Sequence, residues 1–294
     1  MDLLKLKYFQ TVARTEHMTK AALELHIAQP ALSVMIARLE EDLGVPLFDR
    51  IGRQIRLNLF GKAFLKHVDK ALGALEEGRR EIEDLAGLER GSIMLATTTL
   101  IRVADILGPF ISLRPDVNFR ITQAIAEDAM VNLLEKGEID FCFATSAIER
   151  PGICTFPLET EEIVLAVPST HRLSGRHSIH LSEVANDPFI NLKSGYSFRK
   201  ITDEFCSKAG FIPNIVCEGD EPAAISCMVR AGLGVAFLPA ASKREMPPLH
   251  LIHIEEPVCQ WTPYLVWLER HYLSLAAQSF RDFIMEHYGQ TPIR

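Results

Sequence analysis

The chain has 294 residues, 48% hydrophobic and 23% charged, with 17 Gly and 16 Pro. That composition excludes wholesale disorder, a collagen repeat and a coiled-coil rod, and its length suits about two domains. The net charge of −7 is unevenly spread: residues 1–70 carry 11 Lys and Arg against 8 Asp and Glu, residues 71–90 carry 3 against 6, and residues 91–294 carry 17 against 24.

Residues 3–43 predict three short helices. Leu4, Phe9, Val12 and Ala13 share an apolar face of the first. Thr19 is placed to cap a second helix carrying Ala22, Leu23 and Leu25. Ile27-Ala28-Gln29-Pro30 makes a turn, and Pro30 sits in the first turn of a third helix, where a missing N–H costs nothing. Leu32, Ile36, Leu39 and Leu43 form that helix's buried stripe, and Gly44 ends it. The period then changes. Val45, Leu47, Ile55, Leu57 and Leu59 flank Arg50-Ile51-Gly52-Arg53, a small hairpin with a basic tip. A long helix is predicted over 61–88. Leu65, Val68, Leu72, Leu75, Arg79, Ile82 and Ala86 give it a heptad seam, read as a dimerisation surface. The alternative is an amphipathic helix packed on its own domain.

From Ser92 onward strands and helices alternate. Strands are predicted at 93–97, 118–123, 140–144 and 163–168, with helices at 100–113 and 129–136. The alternation restarts with strands at 189–192, 215–217 and 235–238 and helices at 198–208 and 223–231. Strands at 251–254 and 264–268 and a helix at 275–287 close the chain. This predicts parallel sheets covered by helices, in two lobes that break near Pro168. No apolar run approaches the ~18 residues of a membrane span, and the first residues lack a secretory pattern. No membrane partner is expected, and a cytoplasmic location is. The six cysteines include no Cys-x-x-Cys pair and are expected as reduced core thiols.

Three short helices and a basic hairpin form a winged helix-turn-helix pattern. The third helix turns Gln29, Pro30, Ser33 and Val34 outward, where the base edges of a major groove can be met. Gln29 can pair with adenine in bidentate fashion, and Pro30 and Val34 can pack on a thymine methyl. Arg50, Arg53 and Arg56 are placed to neutralise phosphates, although each alone could be a solvated surface charge. Thr19 and Arg38 complete the expected DNA-facing set. The segments Ala21-Ala22-Leu23-x-Leu25-His26-x-Ala28-Gln29-Pro30-Ala31-Leu32-Ser33, Leu39-Glu40-x-x-Leu43-Gly44-x-x-Leu47-Phe48-x-Arg50 and Leu57-x-x-x-Gly61 resemble the signature of LysR-type transcriptional regulators. The departures are Ala28 for a usual Ser, Asn58 for Thr, Phe60 for Ala, and apolar Val34-Met35 where polar residues are common. Glu16-His17-Met18 and Phe64-Leu65-Lys66-His67-Val68, with 25–29, resemble the branch containing activators of glutamate synthase genes.

The resemblance implies a DNA-binding domain over 1–60, a linker and dimerisation helix over 61–88, and a two-lobed α/β effector domain over 91–294, similar to periplasmic binding proteins. Lobe I is expected at about 91–163 and 269–294, and lobe II at about 168–265. The implied partners are double-stranded promoter DNA, a second copy in a homodimer, a homotetramer, and RNA polymerase as a candidate. Paired recognition helices are expected roughly 34 Å apart on the DNA. No cofactor is expected beyond a small-molecule co-inducer, a carboxylate or an amino acid, in an interlobe cleft.

The residues support such a cleft. Thr97-Thr98-Thr99 and Thr145-Ser146 follow predicted strands, and Ser194-Gly195-Tyr196-Ser197 precedes a helix carrying Arg199. Ligands of open α/β sheets bind at such strand ends, and an arginine beside hydroxyl and N–H donors suits a carboxylate. The alternative is that these Ser and Thr simply cap helices. Glu218-Gly219-Asp220 and Gly232-Leu233-Gly234 are weaker candidates for a far wall. A peroxide-sensing branch has a cysteine in the loop aligned with Ser194 to Ser197, and this chain has none. Cys206, Cys217 and Cys227 are expected to be buried. An enzyme or a solute-binding protein of the same lobed fold is the rival reading. The chain shows no dinucleotide fingerprint, phosphate loop, His-Glu-x-x-His, Gly-x-Ser-x-Gly or metal-ligand histidine spacing.

Overall fold

The computed structural model describes residues 2–51, 54–86, 91–124, 126–240 and 249–288. It divides into two units, residues 1–82 with 135–138 and residues 83–134 with 139–294. The first holds α1 (Leu3–Thr15), α2 (Met18–Glu24), α3 (Gln29–Leu43), the antiparallel strands β1 (Phe48–Ile51) and β2 (Gln54–Leu57), and α4 (Leu59–Leu85). Phe9, Val12, Ala21, Leu32, Ile36, Leu39 and Leu47 form its core. Leu4 lies outside that core and is 49% exposed. The seam of α4 divides in two. Val68 is buried in the core with Leu65 and Leu72 packed beside it, whereas Leu75, Ile82 and Leu85 are 54%, 67% and 82% exposed. The first half therefore packs on its own domain, and only the second half is left without an apolar neighbour there.

One cap expectation is corrected. Helix α2 begins one residue before Thr19, and its cap is His17, whose Nδ1 accepts the Lys20 N–H. Asn58, the departure from Thr, caps α4. Its Oδ1 accepts the Gly61 N–H at 2.9 Å, and its Nδ2 donates to the Pro46 carbonyl. Ala28 provides no side-chain cap to α3, as its missing hydroxyl predicts.

In the second unit the chain continues through β3 (Ser92–Thr97), α5 (Leu100–Leu113), β4 (Asn118–Gln123), α6 (Glu127–Glu135), β5 (Phe141–Ala144) and β6 (Ile153–Pro157). It crosses to a second sheet with β7 (Glu161–Val167), β8 (Ser178–His180), β9 (Pro188–Leu192), α7 (Ser197–Lys208), β10 (Asn214–Gly219), α8 (Pro222–Arg230), β11 (Ala236–Pro239), β12 (His250–Glu256) and β13 (Gln260–Trp261). It returns with β14 (Tyr264–Leu268) and α9 (Leu275–Tyr288). Lobe I is a five-stranded sheet of order β4-β3-β5-β14-β6. Phe110, Phe141, Leu265 and Phe280 fill one face, and Met130, Leu134, Cys142 and Val266 the other. Lobe II has the order β11-β7-β12-β8, with β13 on β7 and the parallel pair β9 and β10 joined by a Phe189–Val235 bridge.

The expected lobe limits need moving. Strand β7 belongs wholly to the second sheet, and β14 to the first, so the crossings fall at 158–160 and 262–263 rather than at about 163–168 and 265–269. The sheets are mixed rather than parallel. β3 runs parallel to β4 and β5, but β14 is antiparallel to β5 and β6, and β7 to β11 and β12. Each crossing strand enters its sheet from the end where the other strands finish, which forces the opposite direction. No helix among the described residues is long and apolar enough to cross a membrane.

Candidate functional site

Two places gather the predicted site residues. The first is the outward face of α3. Gln29 and Pro30 open the helix and are exposed, as are Val34 (50%) and Arg38. The Gln29 Nε2 donates to Ser33 Oγ at 2.8 Å, which orients the amide and leaves its Oε1 and second N–H for an external partner. His26, at φ 53°, makes the left-handed turn between α2 and α3. Two glutamates hold the hairpin in place. Glu40 Oε1 accepts the Leu47 N–H at 2.7 Å and the Phe48 N–H at 3.2 Å, and Glu16 Oε1 accepts the Leu57 N–H at 2.8 Å. Arg56 is exposed on β2, and Thr19 is exposed on α2. Arg53 and the side chain of Arg50 lie outside the described residues. Glu16 and Glu40 escape composition-based reading; the Leu39-Glu40 pair is the signal that marks the second.

The second place is a small hollow in the second unit. Register builds it. Thr97, at the end of β3, lies opposite Phe143, and Tyr264, at the start of β14, lies opposite Ala144. Thr97, Thr98, Thr99 and Thr145 therefore meet Trp261 and Pro263 at one end of the sheet. Val103 and Ile106 from α5, with Phe143 and Leu158, give an apolar wall. Thr97 is buried and committed: its hydroxyl donates to the Thr99 carbonyl at 2.9 Å and accepts the Thr99 N–H. Thr145 is 7% exposed, and its hydroxyl makes no bond among the described residues. The two crossings that frame the hollow are tied together. The Leu158 N–H donates to the Pro263 carbonyl, and Thr160 and Thr262 share a hydroxyl bond of 2.8 Å.

Other predicted residues do not join this hollow. Ser146 donates to Glu127 at 2.6 Å. Ser194, Gly195, Tyr196, Ser197 and Arg199 line a separate surface depression on α7. There Tyr196 is buried, its hydroxyl donates to the Asp220 carbonyl, and burial pushes its phenol up from the usual range. Arg199 donates to Asp203 at 2.7 Å, Glu218 at 2.8 Å and the Leu192 carbonyl at 2.8 Å. Its guanidinium is already engaged by two carboxylates, so the expected free arginine beside the donors is not found. Lys193 pairs with Asp220 at 2.8 Å and holds that carboxyl below its usual range. Gly234 is a packing glycine, since a Cβ there would stand 2.4 Å from the Pro188 carbonyl oxygen. Glu218-Gly219-Asp220 and Gly232-Leu233-Gly234 thus support lobe II rather than the hollow.

The cysteines divide. Cys142, Cys206 and Cys259 are buried, and burial pushes each thiol up to about 12. Cys217 is half-buried with its Sγ 3.5 Å from Met228 Sδ, and Cys227 is exposed, against expectation, because it falls on the solvent side of α8. Among the described residues no group of His, Cys, Asp and Glu is arranged to hold a metal ion.

The comparisons with known proteins match this division. The model for the bacterial regulatory helix-turn-helix protein, lysR family, covers residues 3–62, and that for the LysR substrate binding domain covers residues 86–289. The chain belongs to the LysR family of transcriptional regulators. An uncharacterised HTH-type transcriptional regulator of Bacillus subtilis (strain 168), YybE, is 38% identical over 99% of this chain and 100% of its own. The transcriptional dual regulator GltC of the same organism is 31% identical over 99% of this chain and 98% of its own. Full-length CbnR in complex with its target DNA shares the fold, with a TM-score of 0.71 at 22% identity, covering 97% of this chain and 99% of that one. This LysR-family chain thus joins a helix-turn-helix unit to a substrate-binding domain.

Proposed function

We propose that this regulator binds promoter DNA in a sequence-selective manner and acts in the cytoplasm without catalysing a reaction. Residues 1–60 bind DNA, residues 61–88 link and dimerise, and the remainder binds an effector. The observation that carries the reading is the α3 face: an oriented Gln29-Ser33 pair beside exposed Val34 and Arg38, with Glu40 holding the hairpin next to it. Such a face suits the major groove, and Arg50, Arg53 and Arg56 suit flanking phosphates. CbnR, of the same fold, has been captured on its target DNA. The exposed Leu75, Ile82 and Leu85 of α4 support association with a second copy, and a tetramer through the effector domains follows the family pattern. The effector site is the hollow of Thr97, Thr98, Thr99 and Thr145. RNA polymerase is a candidate partner for output.

Footprinting on the DNA upstream of its own gene, over a salt series, tests the reading. We expect a protected pseudo-palindromic site whose affinity falls steeply with salt. Gln29→Ala should erode discrimination between sites, and Arg56→Ala should weaken all binding and flatten the salt dependence. Absence of selective protection at every ionic strength would sink it.

A further inference from the structure

Helix α3 carries two stripes of the same spacing. Leu32, Ile36, Leu39 and Leu43 pack into or against the core. Pro30, Val34, Ala37 and Glu41 repeat their steps two residues earlier, and all four are exposed. At about 100° per residue the second stripe points away from the first, so it reaches furthest from the domain. Its first three members have no side-chain group that can donate or accept a hydrogen bond. Gln29 and Ser33 flank it on one side and Arg38 on the other. The C-terminal end is acidic: Glu41 closes the stripe, and Asp42 beside it pairs with Lys5 at 3.0 Å. Phosphates repel that end, which leaves the half from Gln29 to Arg38 to enter a groove.

We infer that α3 reads its DNA chiefly through the C5-methyl groups of thymine, taken by Pro30, Val34 and Ala37, and fixes its register through one adenine on Gln29. The inference rests on the DNA-binding reading above and narrows what that face recognises. The central stripe cannot tell bases apart by donors and acceptors. It can only shut water away from an apolar group, and in the major groove of unmodified DNA that group is the thymine methyl. The flank works by the other rule. Gln29 Nε2 already gives one N–H to Ser33 Oγ at 2.8 Å, leaving Oε1 to accept and one N–H to donate. Adenine offers that pair in reverse, an amino donor beside a ring acceptor, whereas guanine offers two acceptors and would meet Oε1 with an oxygen. Ser33 is therefore a positioning residue that keeps the amide the way round adenine needs. Modified bases separate the methyl from the polar pattern. Uracil has every polar group of thymine without the methyl, and 5-methylcytosine has the methyl on a different polar pattern. The stripe rejects the first and accepts the second.

The duplex protected upstream of the regulator's own gene is the probe, with each thymine replaced singly by deoxyuridine. Affinity for the full chain is read by fluorescence anisotropy at fixed salt. At least one thymine per half-site should lose about fourfold with its methyl. At that position, opposite guanine in both cases, 5-methylcytosine should bind about fourfold tighter than cytosine. Val34→Ala opens no core, since Val34 is 50% exposed, and should bring both ratios close to one at one such thymine, whereas Val34→Ile should keep them. Ser33→Ala should leave the methyl ratios intact and lower the preference for adenine over guanine at one neighbouring position by about fivefold. Uniform tolerance of deoxyuridine overturns the inference, as do ratios that Val34→Ala leaves unchanged or a Ser33→Ala chain that keeps its full adenine preference. Each of those results is read on a protected duplex and leaves the DNA-binding reading standing. A chain that protects no duplex at any salt removes that reading and this inference with it.

Discussion

Two turns in this chain look alike on paper and behave differently in three dimensions. Thr97-Thr98-Thr99 precedes α5, and Ser194-Gly195-Tyr196-Ser197 precedes α7; both place hydroxyls and free N–H groups at the start of a helix. In the first, Thr145 arrives from β5 and the crossing segment brings Trp261 and Pro263, so unspent hydroxyls face an apolar enclosure. In the second, Tyr196 is spent on the Asp220 carbonyl and Arg199 on Asp203 and Glu218. A donor-rich helix start becomes a binding site only where its donors are left over and a wall shuts out water. Where neighbours consume them, the same residue types become structure.

The contrast between the lobes can be sharpened first with alkali. Cys206 and Cys259 lie in the lobe II core and Cys142 in lobe I, and burial pushes each thiol up to about 12. The raised folded value means their contribution is complete below about pH 9 and is lost as pH climbs toward 12. Thermal melts across that window should fall, with lobe II, which holds two of the three, giving way first; a flat melting temperature from pH 9 to 11 would contradict the burial argument. Next in size, Arg199→Ala should cost about 2 kcal/mol in denaturant unfolding, because it strands two carboxylates and a carbonyl. A variant as stable as the parent would show that the guanidinium is not spent on structure. The smallest effect is expected at the other turn. Thr97→Val, which removes the hydroxyl bonded to Thr99, should cost about 1 kcal/mol by the same assay.

Much of the helix-turn-helix unit was legible because its signals are local. The Leu32, Ile36, Leu39 and Leu43 stripe, the Pro30 start and the Gly44 end belong to one helix; the first three stripe residues are buried and Leu43 is half-buried. The caps were less so. Thr19 outranks His17 by propensity, but the chain turns at Glu16, φ 44°, and the helix starts immediately after His17. The α4 seam was visible as a period, yet a period says nothing about what covers it; the structure buries Val68 and leaves Leu75 and Ile82 exposed. In the lobes, β6 and β13 were missed because a short strand at a crossing carries no long alternation. The threonines of the hollow were found from their place before helices. Trp261, Pro263 and Leu158 carried no such mark, since an apolar residue facing a ligand reads like one facing a core.

What the residues determined unaided is whatever depends on neighbours a few positions apart: the helix periods, the hairpin with its charged tip, the glycine and proline punctuation, and so the family. Which strand joins which sheet, and in which direction, was decided by long-range pairing, since β14 reaches β5 across more than a hundred residues. That pairing also chose between the two turns. Whether a hydroxyl is spent or spare depends on what the rest of the chain brings within about 3 Å of it, and no stretch of sequence carries that distance.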